Sequence, residues 1–256
     1  MPYFQSRRAV FTLAFAATLA MPVVANEPVR TYAAISLIAD GLRHVGHEAS
    51  TGSLLSTNPV EVVPLGFDVL ELPALRAVLG AVMASDTKGK VMPLKITDAA
   101  VYKRQAVMVS GDKASLPEDM LAPLKQAGVT HLVLVTRHRA EARMDAGTAK
   151  LGTGWVEGVG FYLDRETPIK AIGQSELTTG YIAPFVYLRV ALIDMQSLKV
   201  VSTQVSTAGR VITASNRNVG ADPWTILSDA EKIETLKSMI QGQIADAVSK
   251  LLASPT

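Results

Sequence analysis

PEDMLAPLKQAGVTHLVLVT, residues 117–136, joins two kinds of local structure across a single glycine. Pro117 to Ala127 reads as a helix, opened by a proline that a first turn tolerates and ended by Gly128. Val129 to Thr136 then forms the strongest buried-strand run in the chain. It is rich in β-branched and apolar residues and lacks the polar alternation of a half-exposed strand. Helix, glycine and buried strand in succession point to a layer of helix on sheet.

Upstream, Tyr32 to Asp40 (YAAISLIAD) is an apolar strand, and Asp40-Gly41 is a turn pair that predicts a hairpin with a returning strand over Leu42 to His47. Residues 49 to 59 are turn-rich, and Val60 to Leu65 is a short extended segment. Leu72, Leu75, Val78, Leu79 and Val82 recur at helical spacing, which predicts a helix over 72 to 85 with Pro73 in its first turn. Lys90 to Ile96 reads as a further strand.

Downstream of Thr136 the pattern changes to long antiparallel strands: Gly152 to Asp164 (GTGWVEGVGFYLD), Pro184 to Ile193 (PFVYLRVALI) and Lys199 to Ser206. The last segment is an amphipathic helix. Ser228 and Glu231 form a capping box, and Ile233, Leu236, Ile240, Ile244, Val248 and Leu251 form its apolar face. Such a face must dock on a sheet. The expectation is one α+β domain over residues 26–256, a mixed and largely antiparallel sheet covered by helices with the C-terminal helix docked on it.

Of the 256 residues, 48% are hydrophobic and 19% charged, which sets the chain apart from disordered sequences. The absence of cysteine excludes disulfides, thiol nucleophiles and cysteine metal sites. Residues 1–25 read as a cleaved signal peptide: Arg7 and Arg8 are followed by the apolar run Ala9 to Val24, too short to span a bilayer, and by a Val23-Val24-Ala25 cleavage site. Cleavage removes two of the 25 basic residues and leaves 23 against 23 acidic ones. A formally neutral mature chain with no transmembrane segment gives no support to nucleic-acid binding and fits a periplasmic location.

No nucleophile elbow, zinc-helix motif, phosphate loop or EF-hand loop is present, and no cofactor or metal is expected. His44 and His47 would point to opposite faces of a strand, as would His131 and His138. Gly152, Gly154, Gly158 and Gly160 lie within a strand pattern, where glycine marks bulges or close backbone approach. Asp40, Asp164 and Asp194 end strands and read first as turn formers. The candidate partner-binding residues are Arg137, Arg139 and Arg143, which an extended strand would project from one face around Glu141, together with the aromatics Trp155, Phe185 and Tyr187. On the strand from Phe185 to Ile193 both faces need cover, which the terminal helix or a partner would supply.

Tyr187 to Asp194 (YLRVALID) followed by Lys199 to Ser202 (KVVS) resembles the hairpin of bacterial envelope α/β proteins, among them the curli-secretion lipoprotein, the outer-membrane activator of penicillin-binding proteins and the N-terminal domain of the Tol–Pal translocation protein. The likeness takes in the Ala33 to Ala39 strand, the Thr130 to Val135 strand and the C-terminal helix. It departs in the turn, where Ser197-Leu198 stands in place of Thr-Gly, and in the missing lipidated cysteine, so pore formation and tethering do not carry over. The chain also resembles a group of exported proteobacterial proteins. The resulting expectation is a non-catalytic periplasmic binding or accessory protein that contacts an envelope protein or an anionic glycan. The alternative is a hydrolase whose carboxylate or histidine site is assembled from distant segments.

Overall fold

The computed structural model describes residues 29–38, 40–48, 58–170, 177–213 and 222–253; the expected signal peptide lies outside them. In chain order the strands and helices are β1 (Thr31–Ser36), β2 (Leu42–Gly46), β3 (Val60–Val63), α1 (Phe67–Ser85), β4 (Lys90–Leu94), α2 (Ala99–Arg104), β5 (Val109–Ser110), β6 (Lys113–Ala114), α3 (Glu118–Gln126) and β7 (His131–Arg137). They continue with β8 (Arg139–Glu141), β9 (Met144–Asp145), β10 (Lys150–Leu151), β11 (Trp155–Lys170), β12 (Leu177–Asp194), β13 (Val200–Gly209) and α4 (Asp229–Ala253).

Nine of these strands make one mixed sheet in the order β3-β2-β11-β12-β7-β1-β4, with β13 added to β12 and β8 to β11. The long strand β12 organises it. Along one edge of β12, β11 pairs antiparallel from Leu177 to Tyr187 and β7 takes over antiparallel at Leu188; β13 runs along the other edge from Phe185 to Ile193. β1 flanks β7 in parallel and β2 flanks β11 in parallel. The sheet therefore forks, with β1 and β7 on one prong and β2 and β11 on the other.

This corrects the expected hairpin at Asp40-Gly41. Both edges of β1 are taken by parallel neighbours, β4 and β7, so no returning strand can pair with it. The chain instead moves to another part of the sheet, where β2 runs in the same direction as β1. Gly41 is needed there because a Cβ would meet Val62 at 2.5 Å. The first helix begins at Phe67, five residues earlier than the spacing predicts, so Pro73 lies inside α1 rather than in its first turn. Leu70, fully buried, extends the apolar stripe in that direction.

Helices cover both faces of the sheet. α1 and α4 pack together over Tyr32, Ala34, Val133, Val135 and the even positions Val186 to Leu192 of β12. The opposite face over β1 and β7 is covered by α2 and α3, whose Val101, Met120, Leu121 and Leu124 meet Ala33, Ile35, Leu132 and Leu134. The α+β architecture with a docked C-terminal helix is as expected. Ser228 accepts from the amide of Glu231 and the Glu231 carboxylate accepts from the Ser228 amide, which makes the capping box. The five buried positions Leu236, Ile240, Ile244, Val248 and Leu251 form the seam, each contributing about 1.5–3 kcal/mol of burial.

Candidate functional site

Where the two prongs separate, the backbones leave a gap, and charged side chains fill it. Arg137, the last residue of β7, is nearly buried, with 9% of its side chain exposed. Its guanidinium donates to Asp40 Oδ2 at 2.5 Å and lies 3.3 Å from Glu157 Oε1. Arg43 on β2 donates to the other oxygen of Asp40 at 3.3 Å. Burial and the adjacent Arg137 charge pull the Arg43 guanidinium below its ordinary value, against the opposing effect of Asp40 and Glu157.

Gln105, Tyr102 and Glu71 complete the network. Gln105 accepts from the Arg137 amide at 2.8 Å and donates to the Tyr102 carbonyl at 2.8 Å. The Tyr102 phenol hydrogen-bonds the fully buried carboxylate of Glu71 on α1. Burial, with that carboxylate beside it, drives the phenol well above its usual range, so the hydroxyl stays a donor. Two glycines make room for the arginines: a Cβ on Gly158, which has φ +73°, would lie 2.8 Å from Arg137 Cδ, and a Cβ on Gly160 would overlap the Arg43 carbonyl oxygen. The expected close approach at these glycines is found here, and the close neighbours are Arg137 and Arg43.

The candidate binding residues do not share one face. After Arg137 the chain leaves β12 at His138 and pairs with the start of β11 instead, Arg139 opposite Glu157 and Glu141 opposite Trp155. That shift breaks the alternation that would have aligned the three arginines. Arg137 turns into the fork, Arg139 lies over the Trp155 ring at 5.5 Å, and Arg143, 70% exposed, pairs with Glu141 at 2.8 Å. Phe185 and Tyr187 are fully buried and present no contact surface. Ala142, Met144 and Val156 cover them, and the Tyr187 hydroxyl accepts from the Arg143 amide at 3.0 Å and donates to the Glu141 carbonyl at 3.2 Å.

Arg139 and Trp155 remain at the surface and line a cleft of about 400 Å³ with Arg43, Glu157, Val60 and Val62. Trp155 is 42% exposed, and Val60 and Val62 on the edge strand β3 are 52% and 45% exposed. Arg139 has no ion pair among the described residues, because the Glu157 carboxylate opposite it is drawn to Arg137. The cleft thus offers one uncommitted cation, one aromatic face and a strand edge.

Asp194 ends β12 and acts as a turn former, whereas Asp164, expected to end a strand, lies inside β11 and caps the bulge between Asp164 and Pro168. Asp194 accepts from the amide and hydroxyl of Ser197. Asp164 accepts from the amides of Glu166 and Thr167 and the Thr167 hydroxyl. Asp40 differs, holding two arginines, a role its Asp-Gly sequence concealed. His44 stacks on Trp224 at 4.9 Å, whereas His47 bonds the Tyr162 hydroxyl at 2.9 Å. Thr153 Oγ1 at 3.1 Å and Asp164 Oδ2 at 3.9 Å also approach His47, but both face the same nitrogen, Nδ1. A proton relay needs the hydroxyl and the carboxylate on opposite ring nitrogens, so this set is not a hydrolytic triad. Among the described residues no cluster of three metal-ligating side chains occurs, and no helix is long and apolar enough to cross a membrane.

No protein-family model and no curated protein matches the chain. Among solved structures it is similar to a PelC dodecamer from Paraburkholderia phytofirmans, with 11% identity, 88% of this chain and 90% of that chain covered, and a TM-score of 0.32. It is also similar to the DUF330 protein XCC0632 from Xanthomonas campestris, at 11% identity, 87% and 81% coverage and a TM-score of 0.33. A third likeness is to lipoprotein GNA1162 from Neisseria meningitidis, at 10% identity, 86% and 100% coverage and a TM-score of 0.27. Likeness at this level carries no argument, and the function must be read from the chain's own residues.

Proposed function

We propose that this chain is a non-catalytic binding or accessory protein of the cell envelope, exported to the periplasm, and that the Trp155–Arg139 cleft is where it contacts a protein partner. The observation that carries this reading is an exposed tryptophan under an arginine without a carboxylate partner, beside a strand whose four residues are all exposed. Tryptophan and arginine are the side chains that dominate binding energy at interfaces. The outer edge of β3 is unpaired among the described residues and can accept an added strand. The partner segment that fits is extended, with an acidic side chain for Arg139 and apolar ones for Val60, Val62 and Trp155.

The fork supports the cleft from behind. Asp40 and Glu157 direct their oxygens to guanidinium groups, which fixes the cleft wall formed by Arg43 and Glu157. A photo-crosslinking amino acid at Val62, used in intact cells that produce the protein naturally, tests the reading. A discrete adduct should form, and Arg139→Glu or Trp155→Ala should abolish it without moving the thermal midpoint. An adduct unaffected by both changes, or no adduct, would refute the reading.

A further inference from the structure

We infer that a second cleft, which shares no lining residue with the Trp155 cleft, binds an acidic polysaccharide through its carboxylate groups. It has a volume of about 610 Å³, within the range of ligand clefts, and lies between the β9–β10 hairpin, the ends of β11 and β13, and α4. Four of its lining residues are cationic, Arg143, Lys150, Lys170 and Arg210, against one acid, Asp145. Internal pairing accounts for only two of the four charges. Lys150 pairs with Asp145 at 2.7 Å and Arg143 with Glu141 at 2.8 Å. Lys170 and Arg210 are exposed and have no ion pair among the described residues.

The distribution of these groups favours a polymer over a single anion. The cations stand on three separate segments around an open groove, the β9–β10 hairpin and the ends of β11 and β13, which suits charges repeated along a chain. The rest of the lining mixes the two polarities: Thr207, Thr213 and Gln243 offer hydroxyl and amide groups, and Ile169 and Met239 offer apolar surface. Ser206 donates to Gln243 Oε1, which leaves the amide nitrogen as a donor. Sugar rings have the matching character, with hydroxyl edges and C–H faces. A lipid-binding surface would instead need a protruding apolar anchor to enter the acyl region.

Calorimetric titration of the mature protein with an oligogalacturonate tests the assignment, with maltooligosaccharide, polyglutamate and phosphatidylglycerol vesicles as comparison ligands. Each charge-assisted contact is worth about a factor of ten or more in affinity. The double variant Lys170→Ser, Arg210→Ser should therefore bind the oligogalacturonate about a hundredfold more weakly, while Lys170→Arg alone keeps the affinity. Both side chains are exposed, so the melting curve of the double variant should overlay the wild type. Failure of the wild-type protein to bind oligogalacturonate overturns the proposal, as does a double variant that binds as tightly. Equal or tighter binding of polyglutamate or of the vesicles also overturns it, by showing that charge alone, or a lipid headgroup, is what the cleft selects.

Discussion

Replacing Arg137 by Met keeps most of the side-chain volume and removes the charge on which the fork converges. Two carboxylates then lose their shared cation: Asp40, which would keep only the longer 3.3 Å contact with Arg43, and Glu157. Breaking a fully buried pair by removing one partner costs about 3–5 kcal/mol, whereas exposed pairs are worth about 0–1 kcal/mol. Here the guanidinium is nearly buried but the side chains of Asp40 and Glu157 are 35% and 37% exposed, so solvent relieves part of the loss. The expected cost is about 2–3 kcal/mol. For a domain of this size that lowers the thermal midpoint by roughly 4–12 °C. Circular dichroism melts and urea titrations of the mature protein measure it, with Arg143→Ser as the control. The Arg143 pair with Glu141 is solvent-exposed, so its loss should leave the midpoint in place. An Arg137→Met variant as stable as the wild type would refute the view that Arg137 holds the two prongs together.

Gly160→Ala should be more damaging still, because the added methyl group overlaps the backbone carbonyl of Arg43 and can be accommodated only by parting β2 from β11, at about 3 kcal/mol or more in urea titrations. Gly242→Ala should do the reverse: it lies in α4 with nothing within 4 Å of the new Cβ, and replacing an exposed helical glycine should raise stability by about 0.5–1 kcal/mol. Burial pushes the Asp164 carboxyl upward, but the Thr167 hydroxyl and the Thr167 and Glu166 amides outweigh it and hold its pKa below the ordinary 3.8. A depressed carboxylate contributes stability above its unfolded value that is lost as pH falls through the folded one, so Thr167→Val should lower the urea midpoint at neutral pH and the gap to wild type should close below about pH 4. A gap of constant size down to pH 2 would count against that role for the hydroxyl.

The elements that periodicity describes were legible, because each is stabilised mainly by its own stripe or alternation. Leu236 to Leu251 announced a helix docked by one face, and the run before Arg137 announced a strand buried on both. The partner of each strand was less legible. Asp40-Gly41 has the composition of a hairpin turn, and only the occupation of both β1 edges by β4 and β7 converts it into a passage to another part of the sheet. For the same reason, the alternation from Arg137 to Arg143 suggested one cationic face. Side chains alternate only while a strand keeps its register, and at His138 the chain exchanges β12 for β11.

The fork itself left a trace in the residues that lack side chains. Two strands that share one edge of β12 must part where one succeeds the other, and the parted backbones expose polar groups that water cannot fully reach. Long, multidentate arginines can span such a gap, and the backbone opposite them must then be thin. Gly158 and Gly160 are thin at the two places where Arg137 and Arg43 enter. Their spacing of two places both on one side of β11, a pattern that sequence can display without revealing which cations it serves. Glu71, Gln105 and Asp40 come to that point from a helix, a turn and a bend separated by dozens of residues, so no local pattern could join them. It follows that one of the three arginines the sequence offered for binding, Arg137, is instead committed to holding the sheet together. Arg139, two residues on, is left without an ion pair among the described residues because Arg137 takes the carboxylate of Glu157 opposite it.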